Sequence, residues 1–393
     1  MTSSTRASNL LEALPGRYYT DPAIFELDQR RIFQRSWHCV GRVDALTEAG
    51  QFYRVDLGEE SVLVVRGGDG EPRAMRNLCR HRGAQLCTEE SGSFRAAIRC
   101  AYHSWSYDLD GRLLAAPNMR EMPDLVKADY GLHPVRTEQW LGYLWLNLDP
   151  EAPPLAAQVE PQLSERLGDG VLERYEIGRL GVAATISYQV ASNWKAIIEN
   201  FMECYHCATI HPELTAALPQ FRSGYGTISN GAGAGASFAE HIDGFSLSGR
   251  AARPILPGLG PTDDRQFYGI VLRPNVLLIL VPDHVAVFRL EPLAPGHTRV
   301  VVDWLFDRDT MAADGFDATD SVALLDITNR QDFEACERCQ LGMRSSAYAA
   351  VLVPAEHVIT AFYDYYLAAI AEPPLRPGLT GSPHLAKSAS EST

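Results

Sequence analysis

Between residues 22 and 37, Ile24, Phe25, Leu27, Ile32 and Phe33 recur among charged positions at helical spacing, which predicts an amphipathic helix. From 38 to about 150 the texture changes. Short runs at 52–57, 61–65 and 143–148 are separated by Gly, Asp and Pro turns, the pattern of a small antiparallel β domain. Prolines at 150, 153 and 154 mark a linker out of it. Beyond them, strand-like runs at 271–281, 284–292 and 299–306 mix with helical periodicity at 193–207, 320–341 and 356–371. An antiparallel sheet wrapped around long helices makes this second domain α+β. The expected organisation is a helical segment over 1–37 packing on the second domain, a β domain over 38–150, the α+β domain over 151–374, and a flexible Gly-, Pro- and Ser-rich tail over 375–393.

Composition narrows the function classes. The chain has 393 residues, 46% hydrophobic and 21% charged, as an ordinary globular enzyme has. A net charge of −14 argues against a nucleic-acid footprint or a basic membrane surface. No apolar run approaches the ~20 residues of a membrane span. Residues 1–9 lack the apolar core of a secretory signal, so a cytoplasmic location is expected. The eight cysteines are then expected as free thiols. The pairs Cys204/Cys207 and Cys336/Cys339 fall in helical-looking segments, and core packing is expected of both. The Gly/Ala run at 229–237 lacks the spacing of a phosphate-binding loop and reads as a plain loop, or as one gating substrate entry.

Chemistry enters with Cys79-Arg-His81 and Cys100-Ala-Tyr-His103. Each short loop offers one thiolate and one imidazole. A Rieske [2Fe–2S] centre needs this split, two thiolates on one iron and two imidazoles on the other. A zinc finger uses the same residue types but pairs Cys with Cys and His with His; structural zinc is the alternative. Gly83, just after the first pair, suits a tight loop needing positive φ. Farther on, Glu199, Glu203 and His206 stand at i, i+4 and i+7 of the helix predicted over 193–207, with His211 just past it. Spacing alone leaves a metal site and ordinary polar pairing both open.

The stretches Asn77-Leu-Cys79-Arg-His81-Arg-Gly83 and Arg99-Cys100-Ala-Tyr102-His103-Ser-Trp105-Ser-Tyr107 resemble the Rieske domain of the ring-hydroxylating and N-demethylating oxygenases. The resemblance runs from about residue 16 to 371. It implies that Cys79, His81, Cys100 and His103 hold the cluster, that Trp105 shields it, and that the second domain has the helix-grip fold. The segment Asn193-Trp-Lys195 to His211-Pro-Glu213 resembles the family's mononuclear iron motif. It implies His206 and His211 as ligands with Asp332 as the third, Glu334 and Glu337 being the competitors. A facial His₂–carboxylate set leaves positions open for O₂ and substrate. Glu203 matches the acid that bridges the iron site to a cluster histidine of a neighbouring subunit, which implies a homotrimer. Most ring-hydroxylating members have Asp there. Glu203, together with Cys336-Glu337 and Gln340-Leu-Gly342, looks like the branch acting on choline, carnitine and betaines.

The expected activity is therefore a monooxygenase using O₂, a Rieske cluster and mononuclear Fe(II) to N-demethylate a small quaternary ammonium compound of the glycine betaine or proline betaine type. Phe201, Tyr225, Phe238, Phe267, Tyr268 and Trp304 are the aromatic residues available to face such a cation. The chain has no flavin fingerprint and no plant-type ferredoxin signature, so electrons come from a separate NAD(P)H-dependent reductase of flavin/ferredoxin type. The alternatives are an oxygenase for an aromatic or alicyclic acid and a Rieske electron carrier without oxygenase chemistry.

Overall fold

In the computed structural model, which describes residues 9–224 and 235–371, the alternating runs become antiparallel strands. Seven of them pair in the order His38–Arg42, Tyr143–Asn147, Pro134–Trp140, Pro72–Arg76, Glu60–Arg66, Gln51–Leu57 and Ser91–Ser93. Ile98–Arg99, Ser106–Tyr107 and Leu113–Ala115 form a smaller sheet. Strand Glu60–Arg66 shows the logic. Its side chains alternate between faces, so Leu63 and Val65 join a core with Phe52, Ile98, Trp105 and Tyr107, while Val62 and Val64 join another with Leu144 and Leu146. Both loops carrying the cysteine–histidine pairs hang from the first core. This unit comprises residues 29–139 and 143–152.

The second unit comprises residues 9–28, 140–142 and 153–371. Its six-stranded antiparallel sheet runs Gly181–Val190, His297–Phe306, His284–Ala294, Val276–Val281, Gln266–Leu272, Ala236–Ser237. The predicted hairpin at Pro282-Asp283 is present, with Val281 opposite His284. The single strand predicted over 271–281 is instead two. Pro274 has no N–H for the ladder, and the chain turns there, so Leu272 faces Val276 across the next hairpin.

Two predicted helices are shorter than expected. The first runs Pro22–Asp28 and widens to a π turn over Gln29–Phe33, after which His38 begins a strand. The second runs Trp194–Met202 and stops before Glu203, which is extended (φ −124°, ψ 165°). The predicted 320–341 helix runs Thr319–Met343, and the last helix runs Ile359–Ala371. Residues 225–234, which hold most of the Gly/Ala run, and the predicted tail at 375–393 lie outside the described residues. Among the described residues, no helix is long and apolar enough to cross a membrane.

The long helix is fixed in register against the start of the helix Trp194–Met202. Tyr188 donates to Asp326 (2.7 Å), the Ala191 N–H to Glu337 (2.8 Å) and the Asn193 N–H to Gln340 (2.9 Å). Asn193 also caps its own helix by accepting the Lys195 N–H (3.0 Å). These bonds hold Asp332, midway along the long helix, at a set height opposite the segment that follows Met202.

Candidate metal centres and substrate cavity

The two loops of the β unit are built alike. Gly83 N–H bonds the Cys79 carbonyl and Ser104 N–H bonds that of Cys100, both at 3.0 Å. The closing residue has positive φ each time, +70° at Gly83 and +59° at Ser104. Asn77 ties the first loop down, accepting the Leu86 and Cys87 N–H groups and donating to the Cys87 carbonyl. Cys79 and Cys100 are buried next to each other, whereas the His81 and His103 rings meet edge-on at 4.6 Å nearer the surface. Trp105 stacks on His81 at 5.2 Å. Two inner thiols and two outer imidazoles are the donor set of a [2Fe–2S] centre with chemically distinct irons. Tyr107, not singled out by sequence reasoning, accepts the Arg80 N–H (3.0 Å), so its own hydroxyl hydrogen faces Cys79 Sγ at 3.3 Å.

In the second unit, the helix Trp194–Met202 buries Trp194, Ala196, Ile197 and Ile198 and ends at the candidate site. Glu203 does not continue the helix alongside Glu199, as the predicted spacing required. Its carboxylate accepts the Tyr205 N–H and the His206 Nδ1–H, a local alternative to helical backbone pairing. Glu199 points elsewhere and accepts the Tyr19 hydroxyl at 2.7 Å. His211 sits between Cys207–Ile210 and Pro212–Ala217, where Pro212 starts the next helix.

His206, His211 and Asp332 converge. Asp332 Oδ1 lies 3.2 Å from His206 Nε2 and 2.8 Å from His211 Nε2. Donors about 2.1 Å from one metal ion and at right angles around it stand about 3.0 Å apart, so the set fits a facial triad. Cys207 Sγ is also near, 3.8 Å from His206 Nε2, but the carboxylate is closer to that imidazole. Burial works against the charges here, yet the mutual bonds prevail, raising His206 to about 12 and holding Asp332 below the ordinary carboxylate range. A metal replaces those shared protons on binding. The competitors are turned away: Glu334 pairs with Arg338 and Glu337 holds the Ala191 N–H.

A cavity with about 650 Å³ of space, its mouth included, opens onto these three residues. Phe201, Phe221, Phe245 and Phe267 line it with Leu214, Ile279 and Leu325, and Asn200, Thr328 and Asn329 add polar atoms. Phe267 meets Phe221 at 5.6 Å and Phe245 at 5.4 Å. Of the aromatic candidates, Phe201 and Phe267 reach the cavity, whereas Phe238, Tyr268 and Trp304 are buried without lining it. Tyr225 lies outside the described residues. Phe221 and Phe245 were missed because nothing in their local sequence separates a wall residue from core. The cysteine pairs do not pack alike either: Cys207 and Cys336 are buried, Cys204 is half-buried on the cavity wall and Cys339 is exposed.

Residues 36–128 match the Rieske [2Fe-2S] domain and residues 177–372 the ring hydroxylating alpha subunit (catalytic domain). The chain is 33% identical over 368 residues to the glycine betaine monooxygenase oxygenase subunit of Chromohalobacter salexigens, covering 86% of this chain and 80% of that one. Over 200 residues it is 38% identical to the carnitine monooxygenase oxygenase subunit of Escherichia coli, about half of each chain (51% and 52%). A solved quaternary ammonium Rieske monooxygenase superposes with a TM-score of 0.70 at 24% identity, covering 93% of this chain and 96% of that one. The chain belongs to the Rieske non-haem iron oxygenase alpha subunits, enzymes that use a [2Fe–2S] cluster and a mononuclear iron with electrons from a separate reductase.

Proposed function

We propose that this enzyme hydroxylates a methyl group of a small quaternary ammonium substrate of the glycine betaine or proline betaine type, releasing formaldehyde. The observation that carries this reading is the cavity: Phe201, Phe221, Phe245 and Phe267 line the same space as His206, His211 and Asp332. A trimethylammonium group binds such faces by cation–π attraction, worth about 2 kcal/mol or more when desolvated. The names of the glycine betaine and carnitine relatives support the same substrate class.

Cys79, His81, Cys100 and His103 hold the cluster in this reading, and His206, His211 and Asp332 the iron. When bound, the cluster supplies electrons singly and the iron provides the site for O₂ activation. The protein's part is orientation. Glu203 keeps the His206 proton on Nδ1, which leaves Nε2 free toward the metal. The phenyl wall holds the cationic head, and the apolar lining excludes water. One methyl C–H receives one oxygen atom, two electrons and two protons reduce the other to water, and the resulting carbinolamine separates into tertiary amine, formaldehyde and a proton. A carboxylate has about four acceptor positions, so Glu203 can also accept from a cluster histidine of a second copy. The partly exposed imidazoles of His81 and His103 suit that hand-off, and we extend the proposal to a cyclic homotrimer.

The test compares glycine betaine with its carbon isostere 3,3-dimethylbutanoate, whose head group is uncharged, and with benzoate. Oxygen uptake is followed in the presence of a ferredoxin-type reductase. Cation–π recognition predicts that betaine outcompetes the isostere by tenfold or more. Equal use of both, or uptake with benzoate alone, favours a plain apolar slot and an acid substrate.

A further inference from the structure

We infer that Gln331 is a positioning residue of the iron site, fixing the tautomer and ring plane of His211 as Glu203 does for His206. Gln331 precedes Asp332 on the long helix, and its Oε1 lies 2.7 Å from His211 Nδ1. An amide end is ambiguous by itself, but its other end lies 3.3 Å from Glu213 Oε2. An ionised carboxylate only accepts, so the Gln331 NH₂ faces Glu213 and the carbonyl faces the imidazole. His211 Nδ1 must then carry a hydrogen, so the proton that Nε2 shares with Asp332 is the one a metal displaces, which frees the Nε2 lone pair for it. His211 is 1% exposed, so water cannot take over this task.

The two imidazoles are therefore backed differently. Glu203 places an anion behind His206, whereas a neutral amide, itself oriented by Glu213, stands behind His211. An anion behind an imidazole makes it the more basic ligand. Gln331 thus keeps His211 a neutral donor and limits the negative charge around the iron. This inference rests on His206, His211 and Asp332 being the iron ligands.

The experiment is a ferrous-chelator challenge of the iron-loaded enzyme, with cluster absorption recorded on the same samples. Gln331→Leu should weaken iron retention roughly 10- to 100-fold with cluster absorption and melting temperature unchanged. The swapped pair E213Q/Q331E restores an acceptor for Nδ1–H and should recover most of the retention. Wild-type retention in Gln331→Leu overturns the inference, as does equal loss in the leucine variant and the swapped pair, which marks a packing role. Should Gln331→Leu not fold, the swapped pair decides alone: retention supports the inference and loss overturns it. His206→Ala serves as the control. If it keeps its iron, the ligand assignment itself fails, a result distinct from an iron-depleted control beside an unaffected Gln331→Leu.

Discussion

At the scale of single residues, the positions of a few protons decide what each side chain at the site can do. Glu203→Gln should leave both metals bound while turnover per electron delivered drops sharply, because a neutral amide orients His206 less firmly and would serve poorly in the proposed bridge between two imidazoles. Product yield per reducing equivalent measures this, and normal coupling would remove the bridging role. Replacing His206 by Ala should keep the cluster's visible absorption and abolish product. At the proposed cluster site, the Tyr107 hydroxyl faces Cys79 Sγ. A donor on a cluster thiolate favours the reduced, more negative state, so Tyr107→Phe should lower the cluster potential by some tens of millivolts (about 59 mV per tenfold for one electron), read by redox titration. The gathering of Cys79, His81, Cys100 and His103 was legible in the sequence because mixed Cys and His pairs at tight spacing are rare and chemically specific, whereas that of His206, His211 and Asp332 followed only from the family resemblance. Tyr107 and Gln331 were not legible, since their partners are distant in sequence or on the opposite side of the site, and only folding brings them there.

At the scale of elements, the helix Trp194–Met202 is held by an ionic cluster that periodicity does not reveal. Asp28 accepts from the Trp194 indole (3.1 Å), the Tyr366 hydroxyl (2.8 Å) and the Lys195 ammonium, and Asp28 and Lys195 are both fully buried. Asp28→Ala would leave Lys195 buried without its counter-ion, and a cost of about 3–5 kcal/mol is expected in denaturant unfolding. Glu199, one turn along, is half-buried and bonded to the Tyr19 hydroxyl. Burial raises its pKa from 4.5 to about 8 against the opposing pull of Tyr19 and Lys195. The folded state then binds this proton more tightly than the unfolded chain. The resulting stability is complete below about pH 4.5 and is lost as pH rises toward 8. Glu199→Gln is neutral throughout, so its melting temperature relative to the wild type should climb across that window; a pH-independent difference contradicts the shift. Sequence reasoning carried the helix on through Glu203 because apolar spacing continued to Tyr205. The capping carboxylate of Glu203 ends it, which no periodicity argument weighs.

At the scale of the whole molecule, the division into a β unit and an α+β unit was readable from the change in hydrophobic period. The split of 271–281 at Pro274 was missed although Arg273-Pro274-Asn275 interrupts the apolar run with turn residues, because the flanking runs are both strand-like. Assembly is tested by complementation. Under the proposed assignment Cys79→Ser should remove the cluster and His206→Ala the iron, and each alone should be inactive. Mixed trimers with electron transfer across the subunit boundary should regain about a quarter of wild-type activity, since about three in four contain one working junction of three. No recovery would place transfer within one chain. The most direct test of the whole account is the ratio of formaldehyde released to O₂ consumed by the wild-type enzyme, with reductase and glycine betaine. The account predicts a ratio near one, absent in His206→Ala. Oxygen uptake stimulated by an aromatic acid, with no formaldehyde from any betaine, would contradict it.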